Sequence, residues 1–431
     1  MTSPVGGTTD QVLYDGLAVL VTVLVVAYAV YLLLRWLRGS RPNLPIAAPI
    51  AVALALRVVA AVGIYLAGAQ GLFGSDEQRF LAEAQDIAAT PFMSGPWIEP
   101  LGGELYKFVF AVQFSILDGP ELALRVTQAG ISVAGIALLA TAVYELAGRR
   151  AALIAAWLLA VEPAGVFFSD VLHKEPNMLL AAGLVALGGS TLWKRGDYRS
   201  LIPIGLGCVI AAASRPYAGF FLVAAGALIT LHAGLRHRRR SLKALGLIYA
   251  VVLLAIVSAP IAWRVSSPQS LERLQRSQEG GTTKEGGNLG LEQVDFSSRK
   301  AVIVNLPQRV RDVIFRPYPW QLGSGAQRAG LLGTLFALAL LALLARELVR
   351  NRGHIMERAG PLVYVGVFLL IAYSLSASNA GIAFRHRTQV VAVAICILVT
   401  LWAARRQAAP SRPPVRSPGF RPVGPVARPT G

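Results

Sequence analysis

Between Gly16 and Leu34 the chain runs through nineteen residues without a charge, and apolar stretches of this kind recur almost to its end. An apolar helix of about 20 residues crosses the hydrocarbon core of a bilayer. A helix also satisfies its own backbone polar groups, as lipid demands. Eleven segments fit: 11–34, 46–70, 122–146, 151–168, 176–193, 201–214, 216–235, 244–264, 327–345, 360–379 and 387–404. The sixth is short and reaches only about 21 Å at about 1.5 Å per residue, so it is tilted, broken or re-entrant with the seventh. The expected fold is an all-α polytopic membrane protein with about eleven transmembrane helices. Only 15% of the residues are charged and 55% are hydrophobic, against about 25% charged in soluble domains. That excludes an ordinary soluble enzyme, a disordered chain and a collagen-like repeat.

The net charge of +18 would suggest nucleic acid in a soluble protein. Here its distribution points to topology and excludes a nucleic-acid partner. Alternate connections carry Arg35, Arg38 and Arg41; Arg149 and Arg150; Lys194, Arg195 and Arg199; Arg236 to Lys243; and Arg346 to Arg358, followed by a basic tail from Arg405. These hold twenty-three basic residues, against six (Arg79, Lys107, Lys174, Arg215, Arg385, Arg387) in the connections between them. The positive-inside rule then predicts a multi-pass protein of the plasma (inner) membrane, with the N-terminus outside and the C-terminus cytoplasmic. Asp10 and Asp15, not basic residues, precede the uncharged run of the first span, so it is expected to be a true span and not a signal peptide. Cys208 and Cys396 lie singly in apolar runs, which argues against a disulfide framework or a zinc site.

Two outer segments are long. The first, 71–121, opens with Ser75-Asp76-Glu77-Gln78, a capping-box start. Phe80, Leu81, Ala84, Ile87 and Ala88 follow at helical spacing, which predicts an interfacial amphipathic helix. A second such helix is expected over 103–117. The other long segment, 265–326, ends in Arg316-Pro317-Tyr318-Pro319-Trp320. Polar residues gather at span ends on this same side: Asp170, His173, Lys174 and Glu175; Arg215; Arg385 and Arg387. At membrane depth such groups are functional candidates. A carboxylate among cations suits one chemistry well. The acid takes a proton from an acceptor hydroxyl, and the cations hold a phosphate as charge grows on it. No P-loop and no dinucleotide fingerprint placed after a strand is present.

In these features the chain resembles the GT-C superfamily of integral-membrane glycosyltransferases, which includes protein O-mannosyltransferases and the aminoarabinose transferase of lipid A. The order of span, acid-led outer loop with interfacial helices, six spans and large outer loop is reproduced over 46–326. Residues 1–45 would be an added span with its cytoplasmic loop, 327–406 further C-terminal spans, and 407–431 a disordered basic, Pro-rich tail. The resemblance implies transfer of a sugar, with inversion, from a polyprenyl-phosphate-linked donor to a glycan, lipid or protein acceptor on the extracytoplasmic face. It implies Asp76 as general base, with Glu77 the alternative. Asp170, His173, Lys174 and Glu175 would form the second acidic loop, positioning phosphate or a divalent metal bridging to it through Asp170 and Glu175. Arg215, Arg316, Arg385 and Arg387 would contact phosphate. The chain lacks a D-x-D in that second loop, which leaves the metal open.

Plainer roles compete. Asp76 and Glu77 also suit the positive end of a helix dipole. Lys174 and Glu175 could be an ion pair before Pro176. Arg385 and Arg387 could snorkel, and Trp320 fits an interfacial belt. Arg57 and Glu162, inside spans, more readily pair than react. A polysaccharide polymerase or ligase using polyprenyl donors would share much of this layout without an acid opening the first loop. A lipid or sugar transporter would show repeats and midplane charges.

Overall fold

The computed structural model describes residues 9–67, 76–117, 119–169, 171–237, 290–323 and 325–408, together with 244–249, 251–252 and the single positions 255, 272, 275, 276 and 279. Among them the structure is helical, with one isolated bridge between Gly290 and Asn379 and no strand. The protein is an all-α polytopic membrane protein. Its helices are α1 (Thr9–Gly39), α2 (Ala47–Leu66), α3 (Asp76–Ala88), α4 (Gly95–Ile98), α5 (Leu105–Leu117), α6 (Glu121–Ala147), α7 (Arg149–Val161), α8 (Pro163–Phe168), α9 (Glu175–Arg195), α10 (Leu201–Ser214), α11 (Pro216–Arg236), α12 (Arg299–Phe315), α13 (Gly325–Arg350), α14 (Ile355–Ser376) and α15 (Ala380–Ala408).

Eight of the described helices are long and apolar enough to span: α1, α2, α6, α9, α11, α13, α14 and α15. The segment expected as one span over 151–168 is instead two helices, α7 and α8, interrupted at Glu162. Pro163 supplies no N–H, and the Glu162 side chain turns to accept from the amides of Ala164 and Gly165 at the start of α8. Beside that break Arg57 donates to the carbonyls of Leu159 and Ala160. A buried acid and a buried cation thus satisfy the exposed backbone where the helix is interrupted. The short helix expected over 201–214 is present as α10. The segment 244–264 falls mostly outside the described residues, as do Ser75 and the tail beyond 408.

The bundle is layered by burial. The most apolar window of α15 is 89% buried inside the protein, whereas that of α1 is 22% buried. Leu17, Leu24 and Tyr28 of α1 face outward, as expected where lipid, not water, is the solvent. Between α6 and α9 the backbones approach closely. A Cβ on Gly135 would lie 2.8 Å from the Leu179 carbonyl carbon, and one on Gly183 would lie 2.8 Å from the Gly135 oxygen. Small residues permit such contacts between membrane helices. Gly135→Leu is therefore expected to abolish the monodisperse peak of the detergent-solubilised protein in size-exclusion chromatography. An unchanged peak would contradict this packing.

The two ends of the bundle differ. At one end Arg41 and Arg195 share Glu145, Trp193 donates to the Glu357 carbonyl, and Arg405 binds Glu347. At the other lie the N-termini of α6, α9, α11 and α15, the C-terminus of α10, and helices α3 and α5. Phe80 and Ala84 of α3 pack on Tyr106, Phe110 and Phe114 of α5, over Leu124 and Leu172. The amphipathic face read from the sequence is the face that α3 buries.

Candidate active site

The loop 171–174 between α8 and α9 is the centre of this second end. Its backbone is held from two directions. The Leu172 amide donates to Glu77 Oε1 at 2.9 Å, and Gln128 Nε2 donates to the His173 carbonyl at 3.3 Å. Phe80 meets the His173 ring edge-on at 5.3 Å between centroids. Interfacial helix α3 therefore positions the loop that carries His173, Lys174 and Glu175.

Glu175 opens α9, with Pro176 in the first turn, where an acid is favoured and a missing N–H costs nothing. Its Oε1 accepts from Arg215 Nη2 at 2.7 Å. Arg215 sits at the junction of α10 and α11, in an extended conformation that lets its side chain turn inward. Its Nη1 meets His386 Nε2 of α15, and His386 stacks on Tyr373 at 4.5 Å. Arg385, one residue earlier, reaches His173 Nε2 at 3.1 Å. Five of the expected site residues, His173, Lys174, Glu175, Arg215 and Arg385, thus come together from three chain segments, and all but Lys174 belong to one network that runs through His386. A small cavity beneath it, of about 30 Å³, is lined by Glu175, Glu162, Ser169 and Gln389; it has room for about one water molecule.

Above the network the side chains are less enclosed. Lys174 Nζ lies 3.8 Å from Glu104 and over the Tyr106 ring at 5.4 Å. Lys107 pairs with both Glu83 and Glu104. Burial, and then the nearby Arg215, push the Lys174 pKa down; Glu104 and Glu175 pull the other way. Burial likewise lifts the Tyr106 hydroxyl above its usual range.

The remaining candidates take other positions. Glu77 is 1% exposed and accepts from Arg125 Nη2 at 2.8 Å as well as from Leu172. Burial raises its pKa against the pull of Arg125 and of the Leu172 amide. One of its oxygens anchors the loop and the other is held by Arg125 of α6. Asp76 begins α3, and Asp170 lies outside the described residues. Arg316 and Arg387 form a second group. Arg316 binds Asp312 and Glu292 at 3.2 and 3.3 Å, and Arg387 donates to the carbonyls of Ile314 and Arg316 and to Thr334. They tie α12 to α13 and α15, adjacent to the network through His386. Glu104, Tyr106, Lys107 and His386 were not singled out by sequence reasoning. The i,i+3 spacing of Glu104 and Lys107 at a helix start was the signal for that pair; His386 carried none beyond its arginine neighbours.

Among the described residues no three His, Cys, Asp or Glu side chains group so as to hold a metal ion. The Arg215 guanidinium already occupies one oxygen of Glu175.

Residues 103–263 match the family model of dolichyl-phosphate-mannose-protein mannosyltransferases. The matched stretch is of the GT-C glycosyltransferase type. No curated protein and no solved structure matches the chain. The GT-C stretch begins beside Glu104 and carries His173, Lys174, Glu175 and Arg215. Asp76, Glu77, Arg385 and the 316–387 group lie outside it. A membrane glycosyltransferase is therefore the class to which the network has to answer.

Proposed function

We propose that the protein transfers a sugar, with inversion, from a polyprenyl-phosphate-linked donor to a glycan, lipid or protein acceptor on the extracytoplasmic face of the plasma (inner) membrane. The observation that carries the reading is the convergence of Lys174, Arg215 and Arg385 at the bundle end where interfacial helices α3 and α5 dock, within the reach of a lipid-borne phosphate. The orientation rests on the alternation of basic loops.

In this mechanism the donor lipid lies between helices with its phosphate at the loop 171–175. Lys174 and Arg385, the less enclosed cations, contact the phosphate. Arg215, paired with Glu175, holds His386 and the start of α9 beneath them. Asp76 accepts the proton of the acceptor hydroxyl as the oxygen attacks the anomeric carbon. The C–O bond to the phosphate breaks, and the departing polyprenyl phosphate keeps the electron pair. Cations already in place stabilise that growing charge without reorganising. Glu77 serves as the anchor of the loop. No step is routed through a metal.

The reading is tested by supplying the reconstituted protein with a polyprenyl-phosphate sugar or with nucleotide sugars. Transfer from the lipid donor alone is the expected result. Transfer from nucleotide sugars alone overturns it. A pH dependence follows from Lys174. Its lowered pKa means that the proton holding the phosphate is lost at lower pH than for an ordinary lysine. The kcat/KM for the lipid donor is therefore expected to fall as pH rises, below the usual lysine range, and Lys174→Arg should move that alkaline limb upward. An unmoved limb would exclude Lys174 from phosphate binding.

A further inference from the structure

The geometry points to a binding site for an anionic glycerophospholipid at the opposite end of the bundle, between α7, α13 and α15. A crevice of about 400 Å³ opens there. Its deeper wall is apolar, formed by Ile154, Leu343, Leu398 and Val399, with Trp402 nearer the end. Its mouth carries Arg346, Arg350 and Arg405 around one carboxylate, Glu347.

Charge decides what such a crevice holds. Glu347 is already committed. Arg405 grips both its oxygens at 2.9 and 3.0 Å, and Asn351 adds a bond to Oε2 at 3.3 Å. Arg350 lies 3.8 Å away. Arg346 is exposed and lines the rim. Three guanidinium groups against one carboxylate leave two positive charges uncompensated, at the edge of a low-dielectric medium. Arginine matches a phosphodiester with paired donors, and basic pockets between transmembrane helices suit acidic headgroups. The apolar wall beneath the cations has the order of a phospholipid, chains deep and phosphate at the mouth, which a free phosphate would not use. Leu343 is 47% exposed, so the crevice faces lipid. The donor phosphate is proposed to bind near Arg385, about 30 Å away along α15 at about 1.5 Å per residue. This lipid is therefore not the substrate, and the site does not depend on the transferase reading.

Native mass spectrometry of the detergent-purified full chain provides the test, with phosphatidylglycerol and phosphatidylcholine of the same acyl composition as probes. The wild type should bind one phosphatidylglycerol in preference to phosphatidylcholine. Arg346→Gln/Arg350→Gln, at exposed positions that spare the Arg405–Glu347 pair, should reduce that preference about tenfold. Leu343→Trp, which keeps every charge but fills the crevice, should weaken both lipids, and Arg352→Gln, an exposed arginine that does not line the crevice, should change nothing. Equal binding of the two lipids by the wild type, a preference that survives the double variant, or lipid binding that Leu343→Trp leaves unchanged would each overturn the assignment. Displacement of the bound lipid by millimolar inorganic phosphate alone would also do so, since it would make the site one for free anions.

Discussion

Arg215→Met is expected to lower the stability of the folded protein by about 3–5 kcal/mol, because it leaves Glu175 as an unpaired carboxylate in a site from which water is excluded. Arg215 is 8% exposed and Glu175 4% exposed, so solvent cannot stand in for the lost partner. The same change releases His386 from its contact with Arg215 and so loosens α15 from the α10–α11 junction. Thermal unfolding of the detergent-purified variant should show the loss directly. Glu175→Gln in the same chain should restore part of it, since a neutral amide next to an apolar side chain costs far less to bury than an unpaired charge. Activity should not return in the double variant, because the guanidinium that holds His386 and the loop end of α9 in place would still be missing. A stable Arg215→Met single variant would mean that the Glu175–Arg215 contact is not the fastener described above.

The second large effect separates two neighbouring acids. Asp76→Asn is expected to reduce turnover by about 10²–10⁴-fold, the usual contribution of a positioned general base, with unfolding temperature unchanged. Glu77→Gln should do the reverse. It removes the charge from a buried contact with Arg125, which keeps Glu121 as a partner, and weakens the acceptor for the Leu172 amide, so the loss should appear in stability, at about 1.5–3 kcal/mol. Turnover by the molecules that remain folded should survive. The opposite pattern, a stable but inactive Glu77→Gln and an active Asp76→Asn, would exchange the roles of the two residues.

The sequence made some of this legible and hid the rest for physical reasons. Spans were visible because lipid requires long apolar helices, and α3 because its apolar residues repeat at helical spacing. The interruption at Glu162 was not, since a proline in an apolar run is as compatible with a kink as with a break. The cluster of His173, Lys174, Glu175, Arg215 and Arg385 was visible as polar residues at span ends on one side. Which of them touch was not, because the contacts span as many as 212 positions between Arg385 and His173. Arg316 and Arg387 showed the limit most clearly. As isolated arginines at span ends they resemble phosphate ligands, yet Asp312, Glu292 and two backbone carbonyls occupy their donors. A cation's availability depends on its partners, and those lie far away in the chain.

The most direct test is where a lipid phosphate rests. A polyprenyl phosphate carrying a photoreactive group beside its phosphate should label peptides containing 171–175 and 384–388, and an excess of unlabelled polyprenyl-phosphate sugar should suppress that labelling. Labelling confined to the opposite end, around 343–350 and 398–405, or labelling of 171–175 that such an excess leaves unchanged, would contradict the account.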